Sequence, residues 1–258
     1  MFFVFFVLKM HMTTLVLKIG GNDIDDMAFL EALVAVVATM HPLPVLVHGG
    51  GKEIGQLQIA LGGQPRFVGG LRVTDRLALT AAEMVLCGSV STRLVAALVA
   101  AGIDAQGLSG VDRGLIRASK VVHAEGDLGF VGTPTAVRAE VLTSLLNSGV
   151  VPVVAPISLG DEGPYNVNAD EAAGAIAAAL GDAEVVFVTN VPGVLVDSAL
   201  AETLDRQQVL ELIDSGVISG GMIPKVRSAL AALDAGVRAA RITNLAGLSD
   251  GSGTIVVG

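Results

Sequence analysis

The chain has 258 residues, 52% of them hydrophobic and drawn mostly from Ala, Val, Leu and Ile, with no Trp and one Tyr. A net charge of −9 without any basic run excludes the usual nucleic-acid binder, whose phosphate contacts need clustered cations. One cysteine, Cys87, rules out an intrachain disulfide and a multi-cysteine metal site.

Residues 1–8 are apolar enough to resemble a signal h-region, yet they lack a basic start and a small-residue cleavage site and are too short to span a membrane. Residues 1–12 are expected to be a non-structural extension, and the chain to be cytoplasmic, in a reducing compartment and away from membranes. From Thr13 the pattern alternates. Strand-like apolar runs at 14–19, 44–48, 151–155, 184–189 and 239–243 are separated by helical periodicity near 25–40, 53–61, 75–101, 135–147, 169–180, 204–215 and 222–235. Continuous apolar strands divided by helices predict an α/β fold, a mostly parallel sheet covered on both faces. Segments 119–130 and 253–258 read as hairpin or edge strands. Residues 156–164 are the best boundary between an amino-terminal lobe, 13–160, and a carboxy-terminal lobe, 161–258. Cys87, inside a long helical pattern, reads as a small buried apolar residue. His11, His41, His48 and His123 lack metal-ligand spacing and read as packing or surface residues.

In such a sheet, ligands collect at the carboxyl ends of the strands. Two glycine runs stand there, Lys18-Ile19-Gly20-Gly21 and His48-Gly49-Gly50-Gly51. Neither is a P-loop nor a Gly-x-Gly-x-x-Gly fingerprint, so each reads as a tight turn or as a cradle whose N–H groups reach an anion. The stretch Asn166-Val167-Asn168-Ala169-Asp170 opens an alanine-rich helix, either as a cap or as an anion site. Lys18 lies inside an apolar strand, where an unpaired charge is costly, so an anion should face it. Lys225 follows Gly220-Gly221-Met222-Ile223-Pro224, a flexible approach to a helix start. Asp170 is placed to orient both ammonium groups. Cations and backbone donors are what phosphoryl transfer needs, and an acceptor already ionised as a carboxylate needs no general base. Arg72, in Gly70-Leu71-Arg72-Val73-Thr74, suits bidentate contact with a second carboxylate.

Those stretches, with Gly107-Leu108-Ser109-Gly110, Val191-Pro192-Gly193-Val194 and Gly221-Met222-Ile223-Pro224-Lys225, occur in one order from Thr13 to Gly258. The conjunction resembles the amino-acid kinase family, and within it the acetylglutamate kinases. The resemblance implies a three-layer αβα sandwich with an open, mostly parallel, eight-stranded central sheet, as in carbamate kinase-like folds. It further implies that Lys18 and Lys225 stabilise the transferring phosphoryl group, that Asp170 holds them, and that Gly21 and Gly50 donate N–H bonds to it. Gly50, Gly51, Arg72 and Asn166 would bind N-acetyl-L-glutamate, with Arg72 and Asn166 on its α-carboxylate. Asn190, Val191, Pro192, Gly193, Val194 and Leu195 would line the nucleotide site with Val217, Ile218 and Ser219. ATP would bring Mg²⁺, and the product would be N-acetyl-L-glutamyl 5-phosphate, in arginine biosynthesis.

The same resemblance implies a homodimer paired through amino-terminal lobes. Only about a dozen apolar residues precede the first strand, where arginine-inhibited relatives carry a linking helix, so a dimer without strong arginine inhibition is expected. Lys52 departs from the pattern and either approaches the acidic ligand or faces solvent. Two other readings remain open at this stage: a kinase of N-blocked α-aminoadipate in lysine biosynthesis, and a catalytically silent amino-acid or nucleotide sensor on the same fold.

Overall fold

The computed structural model describes residues 13–21 and 24–258. The expected extension at 1–12 lies outside the described residues. The chain runs β1 (Thr14–Ile19), α1 (Met27–Val37), β2 (Val45–His48), α2 (Gly51–Ala60) and a small antiparallel pair, β3 (Phe67–Val68) with β4 (Leu71–Arg72). A continuous helix follows over Arg76–Ala100, made of α3 (Arg76–Glu83), a π-helical stretch (Met84–Val90) and α4 (Ser91–Ala100). Next come β5 (Ala105–Gly110), β6 (Ile116–His123), β7 (Gly126–Val137), α5 (Ala139–Asn147), β8 (Val151–Gly160) and β9 (Gly163–Val167). The chain continues through α6 (Ala169–Leu180), β10 (Ala183–Val188), β11 (Leu195–Val196), β12 (Ala199–Leu200), β13 (Thr203–Asp205) and α7 (Arg206–Asp214). It closes with α8 (Met222–Asp234), β14 (Ala239–Thr243), α9 (Leu245–Asp250) and β15 (Thr254–Val257).

The central layer has the order β13-β15-β14-β10-β1-β2-β8-β5, eight strands as the resemblance implies. Pairings from β14 to β5 are parallel, and β15 turns antiparallel against β14. The far half of β8 leaves this layer to pair with β6 and β9, which carry β7 in a separate ply of mixed direction, antiparallel at β6–β7 and β8–β9 and parallel at β6–β8 and β7–β9. Residues 156–164, expected as a lobe boundary, are thus the end of β8 and its turn into β9.

Alternation along β1 explains how the layers form. Val16 joins the core beneath α6 and α8, while Leu17 and Ile19 join the core beneath α1 and the long helix. Lys18 points to the same face as Val16 and therefore toward α6. Helix α6 is capped by Asn168, whose side chain accepts from the Asp170 N–H at 2.8 Å. Its small residues allow α8 to approach closely: a Cβ on Gly174 would sit 3.3 Å from Ala232 Cβ. The helix Arg76–Ala100 is long and apolar enough to cross a membrane, but Leu79, Leu86, Leu94 and Leu98 pack into the core.

Four expectations need correction. Segment 253–258, read as a hairpin or edge strand, holds β15, which lies inside the layer between β13 and β14. The helix expected over 135–147 begins only at Ala139, because β7 runs on to Val137 through Gly132 and Pro134. Strand β5 was not expected, since Ala-Gln-Gly-Leu-Ser-Gly has low strand propensity and lies at a sheet edge. Cys87 is exposed, not buried. It sits in the π-helical stretch, where more residues per turn rotate the chain off the 3.6-residue face that its spacing suggested.

Candidate active site at the strand ends

Strands β1, β2 and β10 run in parallel and end together, so their following loops share one edge. The loops after β1 and β2 touch through backbone alone. A Cβ on Gly21 would lie 2.4 Å from Gly50 N and 2.8 Å from the Gly49 carbonyl carbon, so only glycine permits the contact. Gly49 N donates to Ile19 O at 3.1 Å, and a Cβ on Gly50 would meet Leu86 at 2.8 Å. This brings Gly21 and Gly50 into backbone contact.

A cavity of about 230 Å³ opens beside them, walled by Gly49, Gly50 and Gly51, by Phe67, Leu71 and Arg72, and by Asn166, Val167 and Asn168. Every residue expected at the acceptor lies on it. Arg72 donates to Gly51 O at 2.7 Å and to Gln58 Oε1 at 3.2 Å, with its guanidinium 4.9 Å from the Phe67 ring centroid. Burial lowers its pKa from the ordinary arginine value, yet an arginine stays charged. Asn166 Nδ2 donates to Thr74 Oγ1 at 3.2 Å, and that hydroxyl donates to Arg72 O at 3.0 Å. The sequence reading missed Gln58 and Thr74. Both are polar and fully buried; Thr74 stands at the end of the Arg72 stretch without having been assigned a role, and nothing in sequence marks Gln58, fourteen positions before Arg72.

Lys18 meets the anion its burial demands. Its Nζ lies 2.8 Å from Asp170 Oδ1, with both side chains about a quarter exposed or less. The approach is an ion pair rather than an aligned hydrogen bond, which leaves N–H groups of Lys18 for another oxygen. Ser228 Oγ donates to Asp170 Oδ2 at 3.2 Å from α8. Lys225 is partly buried on that helix, one turn before Ser228, and the preceding Pro224 occupies the first turn, where a missing N–H costs nothing. Beside Asp170, burial raises the pKa of Glu171 although Thr133 Oγ1 donates to it at 3.2 Å.

The nucleotide-side residues stand in two loops. Asn190 to Leu195 follow β10, and Val217 to Ser219 precede α8. Val194 and Ile218 are buried in one core, which limits them to backbone contact with a ligand, while Leu195 and Val217 are about half exposed. Gly193 has φ +148° and is crowded by Thr254, so it too is a position for glycine alone. Lys52, left open above, pairs with Asp25 and does not reach the cavity lining. His48 is buried, with Nδ1 3.1 Å from Gly49 O, and burial pushes its pKa down to about 4. It is a packing residue in part, as expected, and its bond to the glycine loop was missed.

Residues 13–244 match the model of the amino acid kinase family. The chain belongs to this family. Among amino acid kinase relatives, the acetylglutamate kinase of Roseiflexus sp. (strain RS-1) is 70% identical over 243 residues, covering 94% of this chain and 93% of its own. A solved structure of smu.665 from Streptococcus mutans UA159 has a TM-score of 0.78 at 32% identity, with 95% of this chain and 98% of that chain covered. N-acetylglutamate synthase from Neisseria gonorrhoeae, solved with coenzyme A and N-acetyl-glutamate, has a TM-score of 0.80 at 27% identity, covering 95% of this chain and 59% of that one. The chain is accordingly a kinase, and family membership makes ATP its phosphoryl donor.

Proposed function

We propose that this enzyme transfers the γ-phosphoryl group of ATP to the γ-carboxylate of N-acetyl-L-glutamate, giving N-acetyl-L-glutamyl 5-phosphate for arginine biosynthesis. The supporting observation is the Lys18–Asp170 pair, whose Asp170 follows directly on Asn166 to Ala169 in the wall of a cavity lined also by glycine backbone and Arg72. A cation and free backbone donors then flank one end of the acceptor, and a guanidinium the other.

In this reading Arg72 and Asn166 bind the α-carboxylate, and Gly50 and Gly51 cradle the acceptor. The ionised γ-carboxylate attacks phosphorus as the bond to the ADP oxygen breaks, so no residue needs to remove a proton. Lys18 and Lys225 offset charge on the equatorial oxygens while Gly21 and Gly50 N–H groups fix them. Asp170 holds the lysines apart from one another's repulsion. Asn190 to Leu195 and Val217 to Ser219 line the nucleotide.

Among the described residues, no cluster of three His, Cys, Asp or Glu side chains forms a metal cage. The donors suit phosphate, and Mg²⁺ fits here as an ion carried by ATP, where it would neutralise phosphate charge. Lobes at 13–160 and 161–258 would hold most of the acceptor contacts and the nucleotide respectively, with Asn166 of the second lobe reaching the acceptor, and two copies would pair through the amino-terminal lobes.

The test is ATP-dependent acyl phosphate, trapped with hydroxylamine, from N-acetylglutamate, N-acetyl-α-aminoadipate, glutamate and aspartate in parallel. Preference for N-acetylglutamate is expected. Preference for the aminoadipate derivative would sink the acceptor assignment, and silence on all four would sink the reaction.

A further inference from the structure

His48 is the one buried histidine bonded to the loop that the proposed reaction uses, and that reaction leaves it without a role. It ends β2, between β1 and β8, with no exposed surface. Its Nδ1 faces Gly49 O at 3.1 Å. A carbonyl oxygen cannot donate, so the bond exists only if Nδ1 carries the proton, which makes Nε2 the bare nitrogen. Nε2 is buried and has no partner among the described residues.

The carbonyl that accepts this bond belongs to the Gly49–Gly50 peptide. In a planar trans peptide the C=O and the N–H point in opposite directions, so fixing one fixes the other. The rest of that peptide is also confined: Gly21 presses on its face, and Leu86 closes the space at the Gly50 α-carbon. No acceptor among the described residues takes the Gly50 N–H, and helix α2, which begins at Gly51, has no side-chain cap. Glycine alone would let this peptide flip; pinned at its oxygen, it cannot.

We propose that His48 is a positioning residue, whose Nδ1–H holds the Gly49 carbonyl and thereby aims the Gly50 N–H at the transferring phosphoryl group. This rests on the phosphoryl-transfer reading above. A donor set in place before reaction needs no reorganisation in the transition state, and a misaimed one loses most of its effect. His48 touches neither reactant and moves no proton.

Asparagine and glutamine separate the two ring nitrogens, because the Asn amide nitrogen superposes on Nδ1 and the Gln amide nitrogen on Nε2. With N-acetylglutamate and ATP, H48Q and H48L are expected to lose about 10- to 100-fold in kcat with both KM values within about threefold, and H48N to stay within about fivefold of the parent. Retained kcat in H48L, or an H48N as slow as H48Q, would overturn the assignment. Should the variants unfold, long-range ¹⁵N–¹H correlation on the unaltered protein still decides it: Nδ1 protonated is required, and an Nε2-protonated His48 ends the proposal. Inactivity of the unaltered protein would count against the reaction, whereas the tautomer measurement is independent of any acceptor.

Discussion

The side of Lys18 proposed to hold the acceptor is tied mainly through side chains, and the side proposed to hold the nucleotide mainly through backbone. Around the cavity, Arg72 reaches Gly51 and Gln58, Asn166 reaches Thr74, and Thr74 returns to the Arg72 carbonyl. On the other side Val194 N donates to the Thr254 hydroxyl, while Ile218 N donates to Leu212 O and Thr189 N to Thr243 O, with the side chains of Val194 and Ile218 turned into the core. In the proposed reaction acceptor choice would therefore lie with a few replaceable side chains, and nucleotide binding would rest on loop shape, which most substitutions leave alone.

The Lys18–Asp170 pair joins the two sides, and its loss should have the largest effect. In the proposed reaction Lys18→Ala removes a cation that faces the phosphoryl group and leaves Asp170 without the Lys18 ammonium. Turnover should fall about 10²- to 10³-fold, or about 3–4 kcal/mol of transition-state stabilisation, on the scale of losing one oxyanion donor. Steady-state kinetics with saturating substrates checks this, and a loss under tenfold would move the reaction centre away from the seam.

The acceptor-side strand end should also carry an acid sensitivity. Burial holds the His48 pKa near 4, against 6.5 when exposed, so the unfolded chain takes up a proton that the folded one refuses. The stability is complete above the unfolded pKa and is lost as pH falls toward about 4. Between pH 7 and pH 5 the loss should be about 2 kcal/mol. Urea unfolding of the parent and of H48N at both pH values isolates the term. Equal losses in the two proteins would show that His48 ionises freely.

Arg72→Lys keeps charge and discards the planar fork that bonds Gly51 and Gln58. KM for N-acetylglutamate should rise about tenfold with KM for ATP unmoved, since the two sides are built separately. A parallel rise in both constants would break the comparison.

Legibility in the sequence follows the same division. Lys18 was readable because a cation in an apolar strand demands an anion, and α6 supplies Asp170 where β1 points. The central strands were readable because Val and Leu on both faces leave no other place for them. Side-chain partners distant in sequence were not: Gln58, Thr74 and Ser228 are unremarkable residues until folding brings them to Arg72, Asn166 and Asp170. Cys87 was misread because a π-helical stretch changes the period that the reading assumed. Strand β7 was cut short because Gly132 and Pro134 look like breakers, though the ply it joins tolerates them.

The smallest expected effect concerns a side-chain hydrogen bond from α8 to Asp170. Ser228 Oγ lies 2.9 Å from Pro224 O and 3.2 Å from Asp170 Oδ2, with a single proton for the two acceptors. A carboxylate is the stronger acceptor, so the hydroxyl tethers Asp170 to the helix that carries Lys225. Ser228→Ala should leave the fold as stable as before, because the gain in helix propensity is comparable with one partly exposed bond. Turnover should fall about threefold with both KM values unchanged, and Ser228→Thr should restore it. Unchanged turnover in the alanine variant would show that the Ser228 bond does not orient Asp170 for the reaction.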